Sequence, residues 1–133
     1  MYVAVKILRL KGKVFSGNGE GAKFIQLPWV KSQMAEKLGF TPYPGTLNIR
    51  IIKNHVKLEM FEKAKPIEIS PVDGFCRGKC FDVYLMDNLK RAIVVPEIAN
   101  YPKDIVEIVA PMNLRAKYQL KDGDVITLKV RLE

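Results

Sequence analysis

Thr46 and Asn48 stand two apart in TLNIRI, residues 46–51, and alternate with Leu47, Ile49 and Ile51. Successive side chains of a strand point to opposite faces, so the hydroxyl and the carboxamide share one face and the aliphatic groups the other. Asn is a poor strand former, which makes its use here worth a chemical question. Both residues offer a neutral oxygen. Magnesium takes few oxygens from a protein, keeps waters and borrows the rest from substrate phosphates. A neutral pair therefore suits an ion whose charge a nucleotide balances. The alternation alone is equally met by two cross-strand hydrogen-bonding residues on a wet face.

Three other segments hold chemistry-bearing residues. GKVFSGNGEG, residues 12–21, is glycine-rich. Glycines let backbone amides approach phosphate oxygens, and Lys13 adds charge. The G-x-x-x-x-G-K-[ST] signature is absent, and the run that follows reads as a strand and not as a helix start, which favours a plain hairpin loop. Glu107 sits among apolar residues in DIVEIVAP. Alternation there predicts either a solvent-facing carboxylate or one that binds something. MNLR, residues 112–115, follows Pro111 at a helix start; its free amides and Arg115 could hold an anion, or it is an ordinary helix N-terminus with a surface Arg. No nucleophile–base–acid set stands out. His55, the only histidine, reads as a surface residue. Cys76 and Cys80 are too few for a disulfide scaffold or a zinc site and read as neighbours on a hairpin turned at Arg77-Gly78.

The elements that must position these residues are short. Residues 3–16 predict a long strand, broken by GNGEG, with AKFIQL resuming an extended pattern. Pro28 suits the first turn of a helix in which Trp29, Val30, Met34 and Leu38 recur at helical spacing and Gly39 ends the run. TLNIRI is a strand, and residues 56–64 predict a short amphipathic helix. IEIS, DGFCR, KCFDVYLMD, RAIVV and DIVEIVAP are strand candidates. MNLRAKYQL predicts a helix, KDGD a turn and VITLKVRLE a closing strand. Many short strands with two or three short helices predict a mainly β chain, a small barrel with inserted helices.

The 133 residues fit one domain, with 48% hydrophobic content. No apolar run reaches the roughly 18–20 residues of a membrane span, and Lys6 and Arg9 interrupt the first stretch, so it predicts a strand and no signal peptide. The expectation is a cytoplasmic protein with no membrane partner. The net charge of +8 favours an anionic partner, nucleotide or nucleic acid, but the Lys and Arg are scattered and form no run.

Taken in order, GKVFSGNGEG, LGFTPYPGTLNI, DIVEIVAPMNLR and LKDGDVI resemble the archaeal-type CTP-dependent riboflavin kinases, from Gly12 to about Val130. The resemblance implies a single domain over residues 1–133, a compact six-stranded cradle-loop β-barrel. It implies transfer of the γ-phosphoryl group of CTP to the 5′-hydroxyl of riboflavin, giving FMN and CDP. Carried over by position, Lys13, Val14, Phe15, Ser16, Gly17 and Asn18 would bind nucleotide from one side and Met112, Asn113, Leu114 and Arg115 from the other. Thr46 and Asn48 would hold Mg2+, and Glu107 would contact the flavin. The family's flavin-touching Thr or Ser aligns with Ala99, a departure that Asn100, Tyr101 or a backbone group would have to make good. The implied ligands are riboflavin and CTP with their products, and no nucleic acid. The rival readings are a basic barrel that binds nucleic acid without catalysis and a barrel that binds flavin or nucleotide only as a sensor.

Overall fold

The computed structural model describes residues 7–17, 19–52, 66–70 and 77–131. Among them run β1 (Ile7–Phe15), α1 (Glu20–Ile25), α2 (Pro28–Leu38), β2 (Leu47–Ile51), β3 (Ile67–Ile69), β4 (Gly78–Tyr84), β5 (Lys90–Pro96), β6 (Ile105–Val109), α3 (Leu114–Tyr118) and β7 (Val125–Arg131). Every strand pairing is antiparallel. β1 lies between β2 and β7, β2 pairs β6, β6 pairs β5, and β5 pairs β4. The end of β4 pairs back onto β7 through Val83↔Val130 and Tyr84↔Lys129, which closes a six-stranded barrel. The start of β4 uses the same edge for β3, with Ile67↔Cys80 and Ile69↔Gly78. Closure satisfies ladder groups that an open sheet would leave exposed.

Period-two alternation fills the barrel. Leu10 and Val14 of β1, Leu47, Ile49 and Ile51 of β2, Val106 and Ile108 of β6, and Leu128 and Val130 of β7 form one buried cluster with Phe81, Val83 and Ile93. Leu114 of α3 joins it, with Met112, Tyr118 and Leu120 packed alongside. A second cluster lies outside the barrel wall. Phe24 and Ile25 of α1 and Val30, Met34 and Leu38 of α2 cover Cys80, Ala92, Val94 and Val109. β5 is thus buried on both faces, which is why AIVV, residues 92–95, is an unbroken apolar run. Val30, Met34 and Leu38 recur every four residues, and each contributes about 1.5–3 kcal/mol by burial. Pro28 at the first turn and Gly39 at φ 81° bound α2 as its sequence predicts.

Two expectations are corrected. AKFIQL is not extended: Glu20–Ile25 is helical, because Gly19, at φ 83°, turns the chain and the Lys23 N–H closes onto the Gly19 carbonyl at 2.9 Å. Phe24 and Ile25 are adjacent apolar residues that both fit the outer cluster. Nor do Arg77 and Gly78 form a hairpin turn, because Gly78 is already strand, paired to both Ile69 and Pro96. A Cβ at Gly78 would meet the Phe24 ring at 2.6 Å, so glycine here admits the ring of α1. The helix expected over residues 56–64, His55, Cys76 and Asn18 lie outside the described residues.

Candidate active site

The register sets the site. Phe15, Asn48, Glu107 and Val94 lie in one lateral row across β1, β2, β6 and β5. The row is on the outer face, since the neighbours of Asn48 and Glu107 along each strand point into the barrel. Outward does not mean solvated: α1 lies over this part of the wall, and Glu107 is only 3% exposed. The alternation that predicted a solvent-facing carboxylate is right about the face and silent about the helix above it.

Glu107 gathers hydrogen bonds from four elements or loops. The Gly21 N–H, in the first turn of α1, donates to both carboxylate oxygens at 3.1 and 2.9 Å. The Thr46 hydroxyl donates to Oε1 at 2.9 Å. The Tyr101 hydroxyl donates to Oε2 at 2.5 Å. With its oxygen toward the Gly17 N–H (3.2 Å), the Asn48 amide donates to Glu107 Oε1 at 3.0 Å and to Thr46 Oγ1 at 3.2 Å. In the reversed orientation Thr46 Oγ1 donates to Asn48 Oδ1 at 3.2 Å. The first orientation satisfies more partners and is the better assignment. Gly21 and Gly17 permit these contacts. A Cβ at Gly21 would sit 2.5 Å from the Glu107 carboxylate, and one at Gly17 would sit 2.8 Å from the Asn48 carboxamide. The glycine loop therefore does lead into a helix N-terminus, contrary to the sequence reading, and its Gly21 amide is spent on Glu107.

Two clefts flank this node. One, of about 120 Å³, is lined by Tyr43, Gly45, Thr46, Leu47, Ile108 and residues 112–115. The other, of about 290 Å³, is lined by Phe15, Ser16, Gly17, Asn48, Arg50, Tyr101, Pro102, Ile105 and Glu107. Thr46 faces the first and Asn48 the second, so one hydrogen-bonded pair separates the two cavities. In the second cleft Arg50 lies over the Phe15 ring, 5.0 Å from its centroid, and is anchored by Asp104 at 2.6 Å.

Asp122 links the two remaining candidate segments. Ser16 Oγ donates to both of its carboxylate oxygens at 3.1 Å, and Arg115 Nη1 donates to Oδ1 at 2.8 Å. Those two partners, Arg115 first, hold the Asp122 carboxyl below the usual carboxylate range. Asn113 caps α3 by accepting from the Ala116 N–H at 3.1 Å.

The candidate residues are not equally placed. Val14 points into the barrel core, its N–H donates to the Asp124 carbonyl and its carbonyl accepts from Gly123 N–H, both at 2.8 Å. Leu114 is likewise buried in the core. Lys13 is exposed beside Arg50 on the next strand. Ala99 is exposed in a turn and lines neither cleft, whereas Tyr101, two residues on, reaches Glu107. Sequence reading left Arg50 without a role, named Tyr101 only as a substitute, and passed over Gly21 and Asp122. The signals were a strand neighbour of Asn48 on the same face and a KDGD turn whose first Asp has no helix or strand to serve.

The donor set can be tested against a cation. Among the described residues no three His, Cys, Asp or Glu side chains cluster as a metal cage. In the assigned orientation Asn48 turns its oxygen to the Gly17 N–H and its NH2 to Thr46, so the two oxygens do not converge. Turning the amide over brings Thr46 Oγ1 and Asn48 Oδ1 to 3.2 Å, close to the spacing of about 3 Å between adjacent ligands of an octahedral magnesium. The pair therefore fits that ion only with the Asn48 amide turned over and water and phosphate as the other ligands. Cys80 is no alternative ligand: burial beneath α2, and Asp82 secondarily, push its thiol up to about 12. No helix among the described residues is long and apolar enough to cross a membrane.

Residues 14–130 match the family model CTP-dep_RFKase, described as "Domain of unknown function DUF120". Among curated relatives, the chain is 39% identical over 130 residues to a protein named riboflavin kinase from Methanosarcina barkeri, covering 94% of this chain and 57% of that protein. It is 37% identical over 138 residues to a riboflavin kinase of Pyrobaculum aerophilum (98% and 64%) and 39% identical over 134 residues to one of Archaeoglobus fulgidus (94% and 55%). The chain thus spans somewhat over half the length of these relatives. Nearly all of it falls within the family match, and the chain belongs to the CTP-dep_RFKase family.

Proposed function

We propose that this chain is a riboflavin kinase domain that transfers the γ-phosphoryl group of CTP to the 5′-hydroxyl of riboflavin, giving FMN and CDP. The observation that carries this reading is the meeting of two clefts at Thr46, Asn48 and Glu107. Such an arrangement suits a donor and an acceptor brought together at one point. The relatives' names support riboflavin as acceptor, and the family's label supports CTP as donor.

Phosphoryl transfer asks a protein mainly for positioning and for stabilisation of charge. In this reading CTP lies between the glycine loop and residues 112–115, where Lys13 and Arg115 offset phosphate charge. Thr46 and Asn48 hold the magnesium, which supplies charge neutralisation at the phosphates when bound. Phe15 with Arg50 over its ring, Tyr101 and Ile105 wall the acceptor cleft, which reads Phe15 on the flavin side and not on the nucleotide side expected from sequence. Glu107, its oxygens already taken by Gly21, Thr46, Tyr101 and Asn48, holds that wall in place. Tyr101 supplies from this loop the hydroxyl that Ala99 lacks. Val14 and Leu114 act from the core, by fixing the backbone beside them.

The test is incubation with riboflavin, magnesium and each nucleoside triphosphate, followed by chromatography for FMN. FMN is expected with CTP above all others. No FMN with any triphosphate, together with nucleic-acid binding that weakens steeply with salt, would replace the kinase by a basic nucleic-acid-binding barrel.

A further inference from the structure

The KDGD turn before β7 is fastened to the end of β1. The Gly123 N–H donates to the Val14 carbonyl and the Val14 N–H to the Asp124 carbonyl, both at 2.8 Å. Within the turn, Lys121 N–H donates to the Asp124 side chain at 2.8 Å, and Gly123 takes φ 93°, a conformation glycine adopts without strain. The backbone on either side of Asp122 is therefore fixed relative to the barrel. From this point its carboxylate reaches out to Ser16, on the glycine loop, and to Arg115, on α3. These residues come from the two segments that face each other across the assigned nucleotide site.

The link does little for the fold. The Asp122 side chain is 59% exposed and that of Arg115 34%, and exposed ion pairs add little to stability. What it does fix is orientation. Arg115 spends Nη1 on Asp122 while it lines the cleft beside Thr46 and Met112. A guanidinium has five N–H donors in a rigid fork, so anchoring one edge directs the others. Ser16 is drawn to the same carboxylate, which sets where the loop stands over the other cleft.

We propose that Asp122 is a positioning residue for the triphosphate: it clamps Ser16 and Arg115 at a fixed separation and aims the Arg115 guanidinium at the phosphates. The inference rests on the kinase reading and deepens its nucleotide site. Preorganised donors lose less entropy when a ligand arrives, so the clamp acts on nucleotide affinity.

The test is CTP binding by calorimetry and steady-state kinetics on the full chain, for the wild type, Asp122→Ala, Asp122→Asn, Arg115→Ala and the Asp122→Ala/Arg115→Ala double variant. Asp122→Ala should weaken CTP binding about tenfold, the size of one charge-assisted hydrogen bond. Its KM for CTP should rise several-fold more than its KM for riboflavin, whose cleft Ser16 also lines. Its Tm should stay within about 4 °C of wild type. Asp122→Asn should fall between, and the double variant should bind no worse than Arg115→Ala alone. Unchanged or tighter CTP binding by Asp122→Ala overturns the clamp, as does equal loss of affinity for both substrates. A wild-type chain that binds no triphosphate overturns the kinase reading and the clamp with it.

Discussion

Glu107 and Asp122 are two carboxylates with the same task in outline and opposite surroundings. Each draws donors from separate parts of the chain to one point: Gly21, Thr46, Tyr101 and Asn48 for Glu107, Ser16 and Arg115 for Asp122. Glu107 is 3% exposed beneath α1, whereas the Asp122 side chain is 59% exposed. Water replaces the acceptor lost at Asp122 more readily than the one lost at Glu107, whose Gly21 N–H donor is buried. The first carboxylate therefore supports the fold, whereas the role proposed for the second is confined to the site.

The largest effect is expected at the buried end. Glu107→Ala removes the acceptor of a buried helix-terminal N–H and of two part-buried hydroxyls. Stranded buried donors cost about 1–3 kcal/mol each where they cannot rearrange, and the variant is expected to lose about 3 kcal/mol in urea unfolding as well as riboflavin affinity. Gly21 marks the same dependence from the other side, since any side chain there would overlap the carboxylate. Near wild-type stability and riboflavin binding together would show that Glu107 is neither buried support nor part of the riboflavin site.

Asn48→Ala separates the two roles that Glu107 merges. Asn48 is half-buried at the rim of the acceptor cleft, and the Gly17 N–H it serves lies in an exposed loop that water can reach. Stability should change by about 1 kcal/mol. Turnover should fall on the order of a hundredfold if the carboxamide oxygen serves the metal at the reacting phosphate, the scale of removing one preorganised group from a charged transition state. Raising magnesium should recover part of the loss, and unchanged turnover would remove Asn48 from the metal site.

The barrel was legible because its signals are local. Alternation in TLNIRI and VITLKVRLE, the spacing of Val30, Met34 and Leu38, and the turn at KDGD each follow from a few neighbouring residues. Glu107 shows where local signals stop. Its strand and its face were readable, but its burial depends on α1, whose AKFI core alternates well enough to pass for a strand. The turn at Gly19 and packing against Val94 and Cys80 on β5 and β4 make it helical. Tyr101 and Asp122 were less legible still. Each lies in a connection, where side-chain direction follows no period, and Asp122 also acts on a residue far away in sequence, Ser16, 106 positions apart. The pair Thr46 and Asn48 sits between these cases, its common face set by the strand and its convergence on Glu107 by the β2–β6 register.

The smallest effect expected is at the exposed end, and pH isolates it. Arg115 chiefly, with Ser16, holds the Asp122 carboxyl below its ordinary value. A group depressed in the folded state contributes fully above its unfolded pKa, about 3.9 for Asp, and loses that contribution as pH falls through the lower folded value. The clamp should thus be intact at every pH where CTP binding is normally measured. CTP affinity itself shifts with pH as the terminal phosphate gains a proton, so the informative quantity is the ratio of Kd between Asp122→Asn and wild type. That ratio should be flat from pH 8 to pH 5 and approach one only below about pH 4. A ratio that collapsed between pH 8 and pH 6 would mean that a different group, titrating near neutrality, governs how Arg115 meets the phosphates, and the exposed carboxylate would lose its part in the comparison with Glu107.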